Sequence, residues 1–331
     1  MRASRRISGR NKRNCPSSSR RTFLAGGLSL GAFALLPAAQ ARAAKAGGGA
    51  RGASESYVPG APHPALPPQE VTASSSVARL NGVDLWYWDT GGPGEAIILL
   101  HPATGSGHVW GYQQNAFAQA GYRVIGYSRR GFRGSSSGEA GAPGTGAGDL
   151  AMLADHLGIE RMHLVGTAAG GFVAGSFAIA APERVRSLTI ACSLVTTSDP
   201  AMRKTVPWAY EPWWNQLPED LRELSPSYRA VNPEGHARWI ELHELSRQGT
   251  APVNQPAGSV TATLETLARI TSPTLLVSGD ADLISPPPVA RLLADAIPGS
   301  ELTILTECGH SAYWERPDAF NAAVLAFIER H

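Results

Sequence analysis

Short apolar runs alternate with segments of helical spacing from about residue 77 to the C-terminus. The runs predict strands at Val77–Leu80, Val83–Trp88, Ala96–Leu100, Tyr122–Tyr127, Met162–Val165, Val185–Ala191, Thr274–Ser278 and Leu302–Leu305. Helical spacing predicts helices at Asp149–Leu157, Phe172–Ala181 and Pro317–Ile328. Strands that alternate with helices predict an α/β fold with a mostly parallel, doubly wound sheet.

One long segment, residues about 195–265, interrupts this alternation. It is rich in proline and in aromatic residues, which are Trp208, Tyr210, Trp213, Trp214, Tyr228 and Trp239. We expect a helical lid inserted between two strands above an apolar pocket, with Trp208, Trp213 and Trp214 as candidate substrate-binding residues. The alternative is that these rings form the small core of the lid itself.

The N-terminal segment, residues 1–44, is basic and then weakly apolar. Its Ser19-Arg20-Arg21-Thr22-Phe23-Leu24 stretch resembles a twin-arginine export signal, and A-x-A cleavage sequences follow near residues 39–43. The resemblance implies the twin-arginine export machinery as a partner and a periplasmic or extracellular destination. The apolar run is shorter than the roughly 20 residues that span a bilayer, so we expect no stable membrane anchor.

Composition separates the next segment from the remainder of the chain. Residues 45–76 consist largely of Gly, Ala, Pro and Ser, which predicts a disordered linker before a folded domain at 77–331. The whole 331-residue chain has a net charge of +2, but nine of its 29 Lys and Arg residues lie in the first 44 positions. The remaining 20 accompany 27 acidic residues. The later part of the chain is therefore acidic, and no nucleic-acid partner is expected.

The segment Val165-Gly166-Thr167-Ala168-Ala169-Gly170-Gly171 lies between a predicted strand and a predicted helix. A sharp strand-to-helix turn with glycines at this spacing normally presents a nucleophilic serine at its middle position. Here that middle position is Ala168, so the turn is present and the nucleophile position is vacant.

Together with this turn, four further motifs in the same order resemble the α/β-hydrolase fold superfamily, in particular its lid-bearing esterase, lipase and enol-lactonase-like members. They are His101-Pro102-Ala103, Arg130-Gly131-Phe132-Arg133-Gly134-Ser135, Gly279-Asp280-Ala281-Asp282 and Gly309-His310. The resemblance covers about 250 residues, from Val77 onward. It implies an α/β-hydrolase fold with the lid between strands.

The resemblance also implies roles for individual residues. His310 matches the general base, and Asp282 matches the acid that holds its ring in one tautomer. The main-chain N–H groups of Ala103 and Ala169 match the oxyanion hole. His101 is a candidate substrate-binding residue beside it.

An alanine at the nucleophile position closes the acyl-enzyme route, and three explanations remain. The chain is an engineered serine-to-alanine form of a serine esterase, a ligand-binding protein without activity, or an enzyme that uses His310 and Asp282 as a general base. The third makes it a cofactor-free, metal-free hydrolase, or a related lyase, of a small, largely apolar ester, lactone or similar carbonyl compound. Thr167, Thr104, Ser106 and Cys192 are weaker alternative nucleophiles.

Two cysteines follow the N-terminal segment. Cys192 and Cys308 could pair in an exported protein, although two separate buried thiols are the favoured interpretation.

Overall fold

The structure, a computed structural model, describes residues 54–63, 73–196, 199–249, 253–260 and 262–331. Its strands are β1 (Ser54–Val58), β2 (Ser74–Leu80), β3 (Val83–Asp89), β4 (Ala96–Leu100), β5 (Arg123–Tyr127), β6 (Met162–Thr167), β7 (Val185–Ala191), β8 (Thr274–Gly279) and β9 (Glu301–Leu305). Its helices are α1 (Gly111–Gln119), α2 (Gly146–His156), α3 (Ala169–Ala180), α4 (Pro200–Thr205), α5 (Glu219–Glu223), α6 (Pro226–Val231), α7 (Pro233–Leu245), α8 (Leu264–Leu267), α9 (Pro287–Ala296), α10 (Ala312–Glu315) and α11 (Pro317–Ile328).

The strands of the described residues form one sheet in the order β1-β9-β8-β7-β6-β4-β5-β3-β2. The seven neighbouring strands β1, β9, β8, β7, β6, β4 and β5 pair in parallel. At the far edge, β3 pairs antiparallel with β5, and β2 pairs antiparallel with β3. The predicted α/β class and mostly parallel sheet are confirmed. The predicted strand bounds agree with the structure for β4 and β7, and the predicted bounds of α11 agree as well.

The core consists of two apolar layers, one on each face of the sheet. Alternate residues of β4 divide between them: Ile98 belongs to one layer, and Ile97 and Leu99 belong to the other. Side chains of successive strand residues point to opposite faces, so a strand buried on both faces needs an unbroken apolar sequence. Helices α2, α3 and α9 supply the first layer, and α1 and α11 supply the second.

One boundary prediction is wrong. Within the expected disordered linker at 45–76, Ser54–Val58 form β1, which pairs in parallel with β9. Ser74–Ser76 likewise belong to β2. Four of the five β1 side chains are exposed, so β1 carries no apolar alternation that a sequence pattern could detect. The rest of the predicted linker, 45–53 and 64–72, lies outside the described residues, as does the predicted export signal at 1–44.

The predicted lid corresponds to the segment between β7 and β8. It contains helices α4 to α8, of which α7 has 13 residues and the others four to six, and several of its aromatic side chains are buried. Of the helices that the structure describes, none combines the length and apolarity needed to cross a bilayer.

Candidate active site

The turn between β6 and α3 has the strained geometry that the sequence predicts. Ala168 has φ 48° and ψ −116°, a conformation that non-glycine residues rarely adopt. A Cβ atom on Gly166 would lie 2.6 Å from the carbonyl oxygen of Gly170, and one on Gly170 would lie 2.0 Å from that of Leu100. Both glycines are therefore required by close main-chain approach.

Asp282 and His310 are in direct contact although 28 residues separate them. His310 Nδ1 donates to Asp282 Oδ2 at 2.8 Å, since a carboxylate only accepts. The other Asp282 oxygen accepts from the main-chain N–H groups of Ile284 and Ser285 at 2.7 and 2.8 Å. The carboxylate is therefore fixed, and the Nε2 atom of His310 retains the lone pair that can accept a proton.

The charge around His310 favours its protonated form. Burial alone lowers the pKa of His310, but the charge and hydrogen bond of Asp282, with contributions from Glu223 and Glu315, raise it above its ordinary value. The side chains of His310 and Asp282 are 4% and 0% exposed. A buried base with a raised pKa is a stronger proton acceptor than a free imidazole.

The end of β7 joins the turn at Ala168 to the loop that carries His310. The N–H of Ala168 donates to the Ala191 carbonyl at 3.0 Å, and Ser193 Oγ donates to the Ala168 carbonyl at 2.7 Å. Cys192, the first residue after β7, contacts the loop that carries the base: its Sγ atom lies 3.8 Å from the carbonyl oxygen of Gly309, the residue before His310. The vacant nucleophile position and the base loop therefore flank the same strand end.

The loop after β4 supplies the second predicted oxyanion donor, Ala103. Arg129 donates to the carbonyls of His101 and Pro102, both at 3.3 Å, and Arg247 of the lid donates to the Ala103 carbonyl at 3.4 Å. Burial and the nearby Arg247 lower the pKa of Arg129 to about 10. The positive charges of Arg129 and Arg247 would stabilise a negative charge that develops on a substrate oxygen near this loop.

His101 holds this loop and does not face an open pocket. Its ring is fully buried, its Nδ1 atom contacts the Pro102 carbonyl at 2.7 Å, and its Nε2 atom accepts the N–H of Arg129 at 3.0 Å. Burial and the adjacent Arg129 charge hold its pKa well below the ordinary value. Both ring nitrogens are engaged by the main chain, so the structure gives His101 a role in holding the loop, and its contact with substrate stays a prediction.

The three candidate lid tryptophans occupy different environments. Trp208 is half-buried and its Nε1 atom donates to the carbonyl of Leu283, the residue after Asp282, at 2.8 Å. Trp214 is buried, and Trp213 is 50% exposed and stands edge-on to it at 6.0 Å. Trp208 thus lies beside the acid loop, whereas Trp214 belongs to the lid interior.

Sequence reasoning missed two buried glutamates near the base. Glu223 ends α5, and its carboxylate accepts the hydroxyls of Thr104 and Ser311 at 3.0 and 3.2 Å. Glu315 accepts main-chain N–H groups of Gly309 and Ser225. Neither position could be recognised from the sequence, because a glutamate is usually exposed to solvent.

Both cysteines are free thiols in the structure. Cys192 and Cys308 are buried, and burial raises the pKa of each well above its ordinary value. This agrees with the favoured interpretation. Cys192 therefore has the properties of an inert packing residue. Among the described residues, no group of three or more His, Cys, Asp or Glu side chains is arranged to hold a metal ion.

Comparison with known proteins shows the family to which this chain belongs. Residues 95–317 match the sequence model of the alpha/beta hydrolase fold family, and the chain belongs to that family. It is 30% identical over 262 residues to the 2-hydroxy-6-oxononadienedioate/2-hydroxy-6-oxononatrienedioate hydrolase of Burkholderia vietnamiensis, a match that covers 74% of this chain and 90% of the relative.

Two solved structures share the fold. The bromoperoxidase of Bacillus anthracis superposes with a TM-score of 0.64 at 24% identity, covering 77% of this chain and 100% of the other. A thermophilic esterase of Thermogutta terrifontis superposes with a TM-score of 0.66 at 23% identity, covering 78% of this chain and 99% of the other. Proteins with different reactions share this fold, so the site must carry the functional argument.

Proposed function

We propose that this chain is an exported hydrolase that cleaves a small, largely apolar carbonyl compound, such as an ester or a lactone, without a covalent intermediate and without a cofactor. The observation that carries the proposal is the buried His310–Asp282 hydrogen bond at 2.8 Å next to a preserved turn with a vacant nucleophile position. The relative that acts on an oxo-dioate supports hydrolysis of a small carbonyl compound.

The proposed reaction begins with a water molecule in the space that a serine hydroxyl would fill at Ala168. His310 Nε2 removes a proton from the water as the water oxygen bonds to the substrate carbonyl carbon. The carbonyl electron pair moves to oxygen, where the N–H groups of Ala103 and Ala169 stabilise it. The intermediate then collapses, and the leaving group takes the proton from His310.

Ala169 suits the oxyanion role because it is the first residue of α3. The first N–H groups of a helix have no partner within the helix, and the helix dipole places partial positive charge there.

Two alternatives to hydrolysis remain. If His310 instead removed a proton from the substrate itself, the protein would be a lyase. The second candidate function is ligand binding without turnover, which Ala168 favours because the family nucleophile is missing.

The experiment compares wild type with His310→Ala and Asp282→Asn on a panel of activated esters and lactones. We expect turnover by the wild type and a loss of about 10²–10⁴-fold in the His310 variant, the usual contribution of a general base. A burst phase should be missing from the wild type and should appear in Ala168→Ser, where acylation becomes possible. Equal inactivity of wild type and His310→Ala, with ligand binding retained, would establish the binding function instead.

The export part of the proposal has its own test. Replacing Arg20 and Arg21 with lysine should leave uncleaved precursor in the cytoplasm, since the paired arginines are the feature that resembles the export signal. Unchanged delivery of mature protein would reject the twin-arginine route.

A further inference from the structure

The side chain of Glu223 in the lid is buried between the loop after β4, which carries Ala103 and Thr104, and the loop after β9, which carries His310 and Ser311. Glu223 is only 6% exposed, although it ends the short helix α5 in a run of charged residues. One carboxylate oxygen accepts the hydroxyl of Thr104 at 3.0 Å, and the other accepts the hydroxyl of Ser311 at 3.2 Å. Thr104 follows the predicted oxyanion donor, and Ser311 follows His310.

The main chain of the same residue also holds the base loop. The carbonyl oxygen of Glu223 accepts the N–H of His310 at 2.7 Å and that of Ser311 at 3.3 Å. Trp239, also in the lid, donates its indole N–H to the Ser311 hydroxyl at 3.2 Å. The backbone position of the base is therefore set by the lid as well as by the sheet.

A buried carboxylate is costly, and this one lacks the usual compensation. Within the part of the chain that the structure describes, no Lys or Arg forms an ion pair with Glu223, whereas Asp149 is paired with Arg130 at 2.7 Å. Burial raises the pKa of Glu223, and the charge of His310 is the first influence that opposes this rise. The cation that Glu223 can stabilise is therefore the imidazolium of His310.

From these contacts we propose that Glu223 is a positioning residue for the active site, one that orients His310 from the lid side and stabilises its protonated form during the reaction. Asp282 holds the ring through Nδ1, and Glu223 holds the main chain and the following side chain. The lid thereby takes part in the assembly of the base and the oxyanion loop. This inference rests on the proposed role of His310 as the base.

The first test is a titration of the His310 imidazole by NMR, which requires no substrate. We expect Glu223→Gln to move the His310 titration to lower pH by about one unit, tenfold in proton affinity, because a negative charge that favours the cation is lost. Glu223→Asp retains the charge and should restore most of the wild-type value. Glu219→Gln is the matched control, since Glu219 begins the same helix and its side chain is 46% exposed.

The second test uses Ala168→Ser and the ester 4-nitrophenyl acetate, and it follows the rate of acylation against pH. Adding Glu223→Gln should shift the acid limb of the profile to lower pH and slow acylation about tenfold, with little change in KM. Adding Glu219→Gln should change neither quantity. Melting temperatures of all variants identify any loss that is due only to unfolding.

The outcomes separate this inference from the proposed function. If the wild type turns over no substrate but Glu223→Gln still moves the His310 titration, the positioning role stands and the proposed hydrolysis fails. If Glu223→Gln and Glu219→Gln give the same His310 titration and the same acylation profile, Glu223 is only a structural anchor of the lid and the inference is overturned.

Discussion

At the scale of single residues, Ala168 has the backbone conformation of a nucleophile position although its side chain is a methyl group. Its φ of 48° is maintained by its surroundings, because its N–H is bonded to Ala191 and its carbonyl accepts from Gly171 and from Ser193. Such a conformation costs a non-glycine residue about 1–2 kcal/mol. The fold therefore keeps the strained turn whichever side chain occupies it, which is compatible with a continuing role for the Ala169 N–H.

Replacing Ala168 with glycine should test that strain. We expect Ala168→Gly to leave the free energy of unfolding unchanged or to raise it by up to about 1 kcal/mol, because relief of the strain outweighs the entropy that glycine loses. Ala174→Gly, a fully buried position inside α3, is the control and should lower it by about 1 kcal/mol or more. Urea unfolding measures both, and equal losses in the two variants would mean that Ala168 is not strained.

Individual residues also show what a sequence can and cannot predict about a site. The resemblance to the α/β-hydrolase superfamily predicted the pairing of Asp282 with His310, and the parallel strands before the two residues bring them to one edge of the sheet. The contacts of Glu223 with Thr104 and Ser311 could not be predicted, because they depend on how the lid packs against the sheet. The burial of His101 could not be predicted either, because it depends on the position of Arg129, which contacts both its ring and its carbonyl.

At the scale of elements, the lid is fastened to the base loop by a second buried carboxylate. Glu315 lies in α10 and accepts from Gly309, before the base, and from Ser225, between α5 and α6. Burial raises its pKa to about 7, even though the hydrogen bonds from Ser225 and Gly309 act in the opposite direction. We therefore expect the attachment of the lid to depend on pH.

The sign of this sensitivity follows from the raised pKa. The folded state holds the Glu315 proton more tightly than the unfolded state, so its contribution to stability is complete below about pH 4.5 and is lost as pH rises through about 7. Glu315→Gln should reduce the decline in unfolding free energy between pH 5 and 8, measured by urea unfolding. Glu329→Gln, an exposed position, should keep the wild-type slope. A slope that survives in Glu315→Gln would assign the dependence to another group.

The lid tryptophans give a second prediction for this element. Trp214→Ala should lower the free energy of unfolding by about 3–5 kcal/mol, because its side chain is buried. Trp213→Ala should change it by less than about 1 kcal/mol, because half of that residue is exposed. Michaelis constants of the two variants then show whether Trp213 contacts substrate, and an unchanged KM would remove it from the binding site.

At the scale of the whole molecule, most of the sheet could be predicted because strands are marked by short apolar runs, which in a strand buried on both faces, such as β4, are unbroken. Strand β1 could not be predicted, since its partner strand is 247 positions away and four of its five side chains are exposed. Side chains nevertheless fasten the ends of this pairing. Arg316 donates to the carbonyls of Gly60 and Pro59, and Arg291 pairs with Glu55 at 2.8 Å.

Removing the Arg316 side chain should loosen β1 selectively. We expect Arg316→Ala to lower the free energy of unfolding by about 1–3 kcal/mol and to speed amide exchange in residues 54–58, because several main-chain carbonyls lose a buried charged donor. Arg330→Ala removes an exposed ion pair with Glu301 on β9, and it should cost less than about 1 kcal/mol with unchanged exchange. Hydrogen exchange followed by mass spectrometry distinguishes the two results.

The pairing of β1 with β9 also dictates an order of events during synthesis. A ribosome delivers Ser54–Val58 early, but their neighbour Glu301–Leu305 emerges only when nearly the whole chain has been made. Closing so long a loop costs more conformational entropy than any pairing between adjacent strands, so this edge joins the sheet late. Until then the N-terminal strand has no neighbour. Truncated chains that stop before residue 301 should therefore leave it open to proteolysis.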